Sequence, residues 1–133
     1  MTGITFDARS EVVSFGACVV TVTGEADLYA APALKEVMLR AIADGATSVI
    51  VDLTGVTFID STMIAVLVAT ERKLRPTAGR LALVATDANV VRVFQITALD
   101  RIFPIHGTRA DALDALGVRG ANPRADDAAP AGR

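Results

Sequence analysis

Three consecutive polar residues, Asp60-Ser61-Thr62, are the clearest candidates for chemistry in this sequence. They precede an apolar run that starts at Met63, which is the pattern of a helix N-terminus, and Asp and Ser are favoured N-cap residues. Unpaired N–H groups and the positive end of the helix dipole stabilise negative charge there, so the helix would tolerate a phosphate on either hydroxyl. Plain capping by Asp60 or Ser61 explains the same residues without chemistry. The residues alone therefore leave two hypotheses open, a helix cap and a phosphorylation site.

Residues for enzymatic chemistry are sparse elsewhere. His106 is the only histidine and Cys18 the only cysteine, so we expect no metal site and no histidine-activated nucleophile. Neither nucleotide-binding pattern, G-x-x-x-x-G-K-[ST] or G-x-G-x-x-G, occurs. We expect a protein that is not an enzyme and that holds no cofactor, with Cys18 in the core and His106 at the surface or on an edge strand.

A phospho-receiver domain is the rival from another class, because Asp52 could end a central strand and accept a phosphate. Two observations speak against a receiver. The first long strand ends in Gly24-Glu25-Ala26-Asp27 rather than in an acidic doublet that would bind Mg²⁺, and no lysine follows the last predicted strand.

Composition excludes several partner classes. The chain has 133 residues and a formal net charge of −2, and its basic residues are scattered, so we expect no nucleic acid as a partner. The apolar run 63–69 is far shorter than the roughly 20 residues of a membrane span, and the first residues lack the pattern of a signal peptide. With one unpaired cysteine, a reducing cytoplasm is the expected location.

Strand and helix patterns alternate along the chain, which predicts an α/β fold: one mixed, mostly parallel sheet of about five strands with four helices. The predicted strands are 4–9, 18–23, 48–53, 81–84 and 102–105, and the predicted helices are 32–44, 63–74, 89–97 and 108–116. Pro104 places the last strand at an edge. The third helix is expected to face inward with Val90, Val93, Phe94 and Ile96. Residues 1–116 form the predicted domain, and 117–133 read as a disordered tail.

Two segments carry a resemblance to a known family. Gly24-Glu25-Ala26-Asp27-Leu28, followed by Ala31-Pro32-Ala33-Leu34, and then the segment from Val51 to Thr62 resemble the STAS domain of bacterial anti-sigma factor antagonists. The resemblance spans roughly residues 4 to 116, including Leu99-Asp100-Arg101-Ile102-Phe103-Pro104. It implies a single STAS-type domain that works as a protein-binding switch.

The resemblance also implies roles for particular residues. Thr62 matches the position that a partner, both anti-sigma factor and serine/threonine kinase, phosphorylates; Ser61 is the second candidate. The unphosphorylated antagonist binds that kinase and frees the sigma factor, and a phosphatase resets the modified form. The implied partner-binding residues are Asp27, Asp60, Ser61, Thr62, Met63 and Val66. The sequence departs from the family pattern in having threonine rather than serine at the modified position and Met63 rather than glycine after it.

Two questions stay open in the sequence. STAS-like domains also serve as interaction subunits that no kinase modifies, in stress-signalling or lipid-transport complexes. The run 63–69 is apolar all round the predicted helix, so its outward side is either a surface for a partner or for weak homodimerisation, or a face buried by neighbouring elements.

Overall fold

The computed structural model of the chain describes residues 7–14, 16–24 and 30–117. Five strands and four helices alternate along this part of the chain. The strands are β1 (Asp7–Ser14), β2 (Ala17–Thr23), β3 (Ser48–Gly55), β4 (Arg80–Val84) and β5 (Ile105–His106). The helices are α1 (Ala31–Ala43), α2 (Ser61–Leu74), α3 (Ala88–Ile96) and α4 (Arg109–Ala115), with short 3₁₀ turns at Arg75–Thr77 and Leu99–Arg101.

The strands form one mixed sheet in the order β1-β2-β3-β4-β5. β1 and β2 are antiparallel, whereas β2, β3, β4 and β5 pair in parallel. Each parallel connection runs through a helix, as parallel strands require. The predicted fold class is confirmed, and β5 lies at an edge as Pro104 indicated.

The two faces of the sheet are covered unequally. Alternate strand residues, among them Val20, Val51 and Leu83, pack against α1, α2 and α3 in the main core. The opposite face is smaller; there Val19, Ile50, Ala82 and Val84 pack against α4 through Ala112, Leu113 and Leu116. This alternation follows from the two-residue period of a strand.

Local sequence signals account for the helix boundaries. Pro32 lies in the first turn of α1, where its missing N–H costs no hydrogen bond. Gly45 ends the same helix with φ +100°, a conformation that suits glycine, and its N–H donates to the Ile42 carbonyl at 3.0 Å. Asp87 caps α3 by accepting from the N–H groups of Asn89 and Val90.

Three predictions about the elements need correction or lie outside the description. The last strand is Ile105–His106 rather than 102–105, because Phe103 turns into the core and packs edge-on against Phe94, with ring centroids 6.2 Å apart. Ile96 is 74% exposed and does not face inward. β1 is described from Asp7 to Ser14, whereas the predicted strand was 4–9, and residues 4–6 and 118–133 lie outside the described part of the chain.

No helix in the described ranges is long and apolar enough to cross a membrane.

Candidate functional site

The segment between β3 and α2 is held against the core by two buried apolar residues. Val56 and Ile59 are both buried, and the Val56 N–H donates to the Leu53 carbonyl at 3.0 Å. Between them Phe58 remains 54% exposed. The segment is therefore held at two points while one aromatic ring faces solvent.

Asp60 is the N-cap of α2, as its residue type predicted. One carboxylate oxygen, Oδ1, accepts hydrogen bonds from the N–H of Thr62 at 3.0 Å and of Met63 at 3.2 Å. The same oxygen accepts from the Thr62 hydroxyl at 2.6 Å. Partial burial acts to raise the pKa of Asp60, but the hydrogen bonds from Thr62 and Met63 outweigh it and hold the pKa below its ordinary value. Asp60 is therefore an ionised cap that also orients a hydroxyl group.

Thr62 and Ser61, the two candidate hydroxyl residues, are both exposed on the first turn of α2. The Thr62 hydroxyl donates to Asp60, which fixes the direction of its oxygen. An exposed and oriented hydroxyl is what a modifying enzyme needs to reach its target. The geometry thus brings together three of the predicted site residues, Asp60, Ser61 and Thr62.

The other predicted partner-binding residues are placed differently. Met63 is fully buried, so its side chain belongs to the core and not to the surface predicted to contact a partner. Val66 is half-buried at the flank of α2. Asp27 lies outside the described residues. Helical periodicity explains Met63, because it shares the core-facing stripe with Leu67, Thr70 and Leu74.

The apolar run 63–69 is divided among three environments. Met63 and Leu67 face the core, and the larger residues at its flanks, Ile64, Val66 and Val68, are partly buried against it. Only Ala65 and Ala69 are exposed. The helix is therefore buried on most sides, which is one of the two alternatives that the sequence left open.

Phe58 is a surface residue that the sequence analysis did not single out. Its ring is exposed, and it lies two positions before Asp60 and four before Thr62 in the chain. Large exposed apolar side chains next to polar groups are typical of protein-binding surfaces. The available signal was an aromatic residue in a turn segment of a chain with few aromatics.

Asp52, the candidate receiver aspartate, is enclosed in a network of its own. It is only 5% exposed, and its Oδ2 accepts from Nε of Arg109 on α4 at 2.6 Å. Its Oδ1 accepts from the N–H and hydroxyl of Thr54, at 2.9 and 2.7 Å. A second Arg109 nitrogen donates to the Thr21 hydroxyl at 2.7 Å. A carboxylate occupied in this way cannot also bind Mg²⁺ and receive a phosphate, which removes the structural basis for a receiver.

The electrostatics of Asp52 follow from these contacts. Burial acts to raise the pKa of Asp52, but the hydrogen bonds from Thr54 and Arg109 and the charge of Arg109 outweigh it, and the pKa lies below its ordinary value. Asp52 therefore stays ionised and fastens α4 to the sheet. No local sequence pattern indicates this pairing, since the two partners lie 57 positions apart.

Comparison with known proteins places this arrangement in a family. The family model described as the STAS domain matches residues 9–112. The chain belongs to the STAS domain family. The anti-sigma-F factor antagonist RsfB of Mycobacterium tuberculosis is 34% identical over 105 residues, which cover 79% of this chain and 84% of RsfB.

Two solved structures share the STAS fold with this chain. An anti-sigma factor antagonist from Mycobacterium paratuberculosis is 34% identical, with a TM-score of 0.77 over 85% of this chain and 95% of that one. The unphosphorylated form of the anti-sigma factor antagonist SpoIIAA is 25% identical, with a TM-score of 0.73 over 84% of this chain and 96% of that one. The resemblance expected from the motifs is confirmed.

Cys18 and His106, which the sequence indicated have no role in chemistry, lie in the core and on the edge strand of this STAS domain. Cys18 is buried in the main core, and burial raises the pKa of its thiol. His106 is half-buried on the edge strand β5. Among the residues described, no group of three or more His, Cys, Asp or Glu side chains could hold a metal ion.

Proposed function

We propose that this STAS domain protein is an anti-sigma factor antagonist whose binding is switched by phosphorylation of Thr62. The observation that carries the proposal is the exposed Thr62 hydroxyl, held by Asp60 on the first turn of α2 in a STAS domain. RsfB and both solved structures are named as anti-sigma factor antagonists, and SpoIIAA is described in an unphosphorylated form. The proposed partner is an anti-sigma factor with serine/threonine kinase activity, in the cytoplasm, and a phosphatase restores the free hydroxyl.

The surface around Thr62 suits reversible binding. Ser61 and Thr62 supply exposed hydroxyl groups, and Phe58 supplies an exposed aromatic ring. An aromatic side chain that becomes buried at the centre of an interface contributes a large share of the binding energy. The hydroxyl groups at its border are compatible with an interface only while they carry no charge.

Phosphorylation changes two interactions at once. The O–H bond of Thr62 is replaced by an O–P bond, so Thr62 can no longer donate to Asp60. About −1.5 to −2 charges then stand next to an ionised carboxylate. The phosphate is tolerated by the N–H groups at the start of α2, but it brings a desolvation cost and repulsion to any partner that covers this surface. The modified protein is therefore released without a change of fold.

Both departures from the family pattern are compatible with this switch. Threonine presents the same hydroxyl group as serine, and here it is exposed. Met63 replaces a glycine, but its side chain points into the core, so it adds no bulk to the outer surface beside Thr62.

The test is phosphorylation by the anti-sigma factor kinase of the same organism, with ATP, followed by mapping of the modified residue by mass spectrometry. We expect one phosphate, on Thr62, and its loss in Thr62→Ala. Ser61→Ala is the matched control, since Ser61 is equally exposed, and it should still be modified. A protein that binds the kinase but stays unmodified would be an interaction subunit without a phosphorylation switch.

A further inference from the structure

The edge of the sheet formed by β1 is eight residues long, and most of its residues are exposed. β1 runs from Asp7 to Ser14, and no other strand in the described ranges pairs with it on the side away from β2. Its pairing with β2 is regular from Asp7 to Val12, and the register shifts between Val12 and Ser14. Within this segment Val12 is 78% exposed, the largest exposed fraction among the large apolar residues that the structure describes. An exposed edge of this length can pair with a further strand.

Acidic and basic residues alternate along one face of β1, and this pattern is complementary to a second copy of the same strand. Asp7, Arg9 and Glu11 point to the α4 side of the sheet, where Glu11 lies 3.8 Å from Arg109. Ala8 points to the other side and packs on the main core. Arg9 forms an exposed ion pair with Asp7, with Nε and Oδ2 2.8 Å apart, and exposed pairs of this kind contribute little.

Two copies of this strand are complementary over most of the regular segment in one register. An antiparallel pair of identical strands around a two-fold axis must be centred on a residue, because only then do both copies keep the same face of the sheet. Centring on Ser10 places Arg9 of each copy opposite Glu11 of the other, and Ala8 opposite the exposed Val12. Opposite charges directly across a strand pair stabilise the pair.

The neighbouring registers are disfavoured by the same charges. Centring on Arg9 sets Arg9 against itself and Asp7 against Glu11, and centring on Glu11 sets Glu11 against itself. Like charges directly opposite each other are destabilising. Centring on Ala8 would set Asp7 opposite Arg9 of the other copy, but only residues 7–9 of the regular segment would then lie opposite each other, and centring on Val12 leaves only Val12.

We propose that β1 is a homodimer interface, in which two copies pair their β1 strands antiparallel about Ser10 and extend the sheet across both protomers. This interface is separate from the Thr62 surface. Thr62 lies at the start of α2, which follows β3, and β2 lies between β3 and β1 in the sheet. Dimerisation therefore leaves Thr62 free for a partner, and it does not depend on the switch proposed above.

Cysteine cross-linking tests the register directly. All variants carry Cys18→Ala, because Cys18 pairs with Val12 across β1 and β2 and could compete for a disulfide. In Ser10→Cys the two introduced residues face each other, about 4.5–5.5 Å apart between Cα atoms, within disulfide range. In the matched control Val12→Cys they are about 13 Å apart along the strands, and no disulfide can form. We expect a covalent dimer from Ser10→Cys alone; equal cross-linking of both variants, or none in Ser10→Cys, would overturn the proposal.

A charge exchange provides the second test, read by sedimentation of the full chain. Arg9→Glu and Glu11→Arg each turn two attractive pairs into repulsive ones, so the dimer dissociation constant should rise about tenfold or more. The double variant Arg9→Glu/Glu11→Arg restores both pairs and should dimerise like the wild type. A wild type that stays monomeric at the highest concentration at which it is soluble, or a double variant no tighter than the single ones, contradicts the interface. Equal thermal melting of all variants, at a concentration low enough for all of them to be monomeric, verifies that folding is unchanged.

Discussion

The hydroxyl of Thr62 donates a hydrogen bond of 2.6 Å to Oδ1 of Asp60, the same oxygen that caps helix α2. The group proposed to be modified is thus held by the group that begins the helix. The Asp60 carboxylate therefore serves both the stability of α2 and the orientation of the Thr62 hydroxyl. Matched substitutions can distinguish these two roles.

Removal of the Asp60 carboxylate should affect both properties. Asp60→Ala removes the cap of α2 and should lower the free energy of unfolding by about 1 kcal/mol. It also frees the Thr62 hydroxyl to rotate, so phosphorylation at Thr62 should slow. Asp87→Ala is the matched control, because Asp87 caps α3 in the same way but holds no hydroxyl. Urea unfolding and a kinase assay on both variants measure the two effects; equal slowing in Asp87→Ala would assign the effect to stability alone.

Phe58 should matter for binding and not for folding. Phe58→Ala removes an exposed ring, so the free energy of unfolding should change by less than about 0.5 kcal/mol. Affinity for the anti-sigma factor should fall about tenfold or more if the ring is buried in the interface. Titration calorimetry measures the affinity. Phe94→Ala is the control for folding, because Phe94 is fully buried and its loss should cost about 3–5 kcal/mol.

The ion pair between Asp52 and Arg109 should stabilise the α4 side of the sheet. Arg109→Met leaves the buried Asp52 carboxylate without its cation, which should lower the free energy of unfolding by about 1–3 kcal/mol, less than for a fully buried pair because Arg109 is partly exposed. Adding Asp52→Asn removes the unpaired charge and should recover part of the loss. No recovery in the double variant would show that Arg109 acts by packing only.

Stability should fall in acid because of Asp52 and Asp60. The pKa of each carboxyl lies below its ordinary value of 3.8 in the folded chain. The unfolded chain therefore binds more protons in this range, so the contribution of each group is complete above about pH 5 and is lost as the pH falls through the folded pKa. Urea unfolding between neutral pH and pH 3 should show this decline. Asp52→Asn should flatten it, and an unchanged slope in that variant would contradict the assignment.

Much of the fold could be predicted from local patterns. The apolar spacing of α1 and α3, the β-branched runs of β2 and β3, and the capping types at Asp60 all act over a few residues, so the sequence displays them directly. The last strand was misplaced because two residues, Ile105–His106, make too short a run to be distinguished from the neighbouring Phe103.

The site was predictable only in part, for a physical reason. Asp60, Ser61 and Thr62 are adjacent in the chain, and their types identify a helix start. Met63 was placed on the surface because a helix that is apolar all round does not reveal which side faces the core. The pairing of Asp52 with Arg109 depends on how α4 folds back on the sheet, which no local pattern contains.

The most direct test of the switch compares two forms of the wild-type protein with the same anti-sigma factor kinase. Affinity is measured by titration for the unmodified chain and for the chain carrying one phosphate on Thr62. We expect the phosphate to weaken binding about a hundredfold or more, by desolvation and repulsion at a covered surface. Equal affinity of the two forms would contradict it.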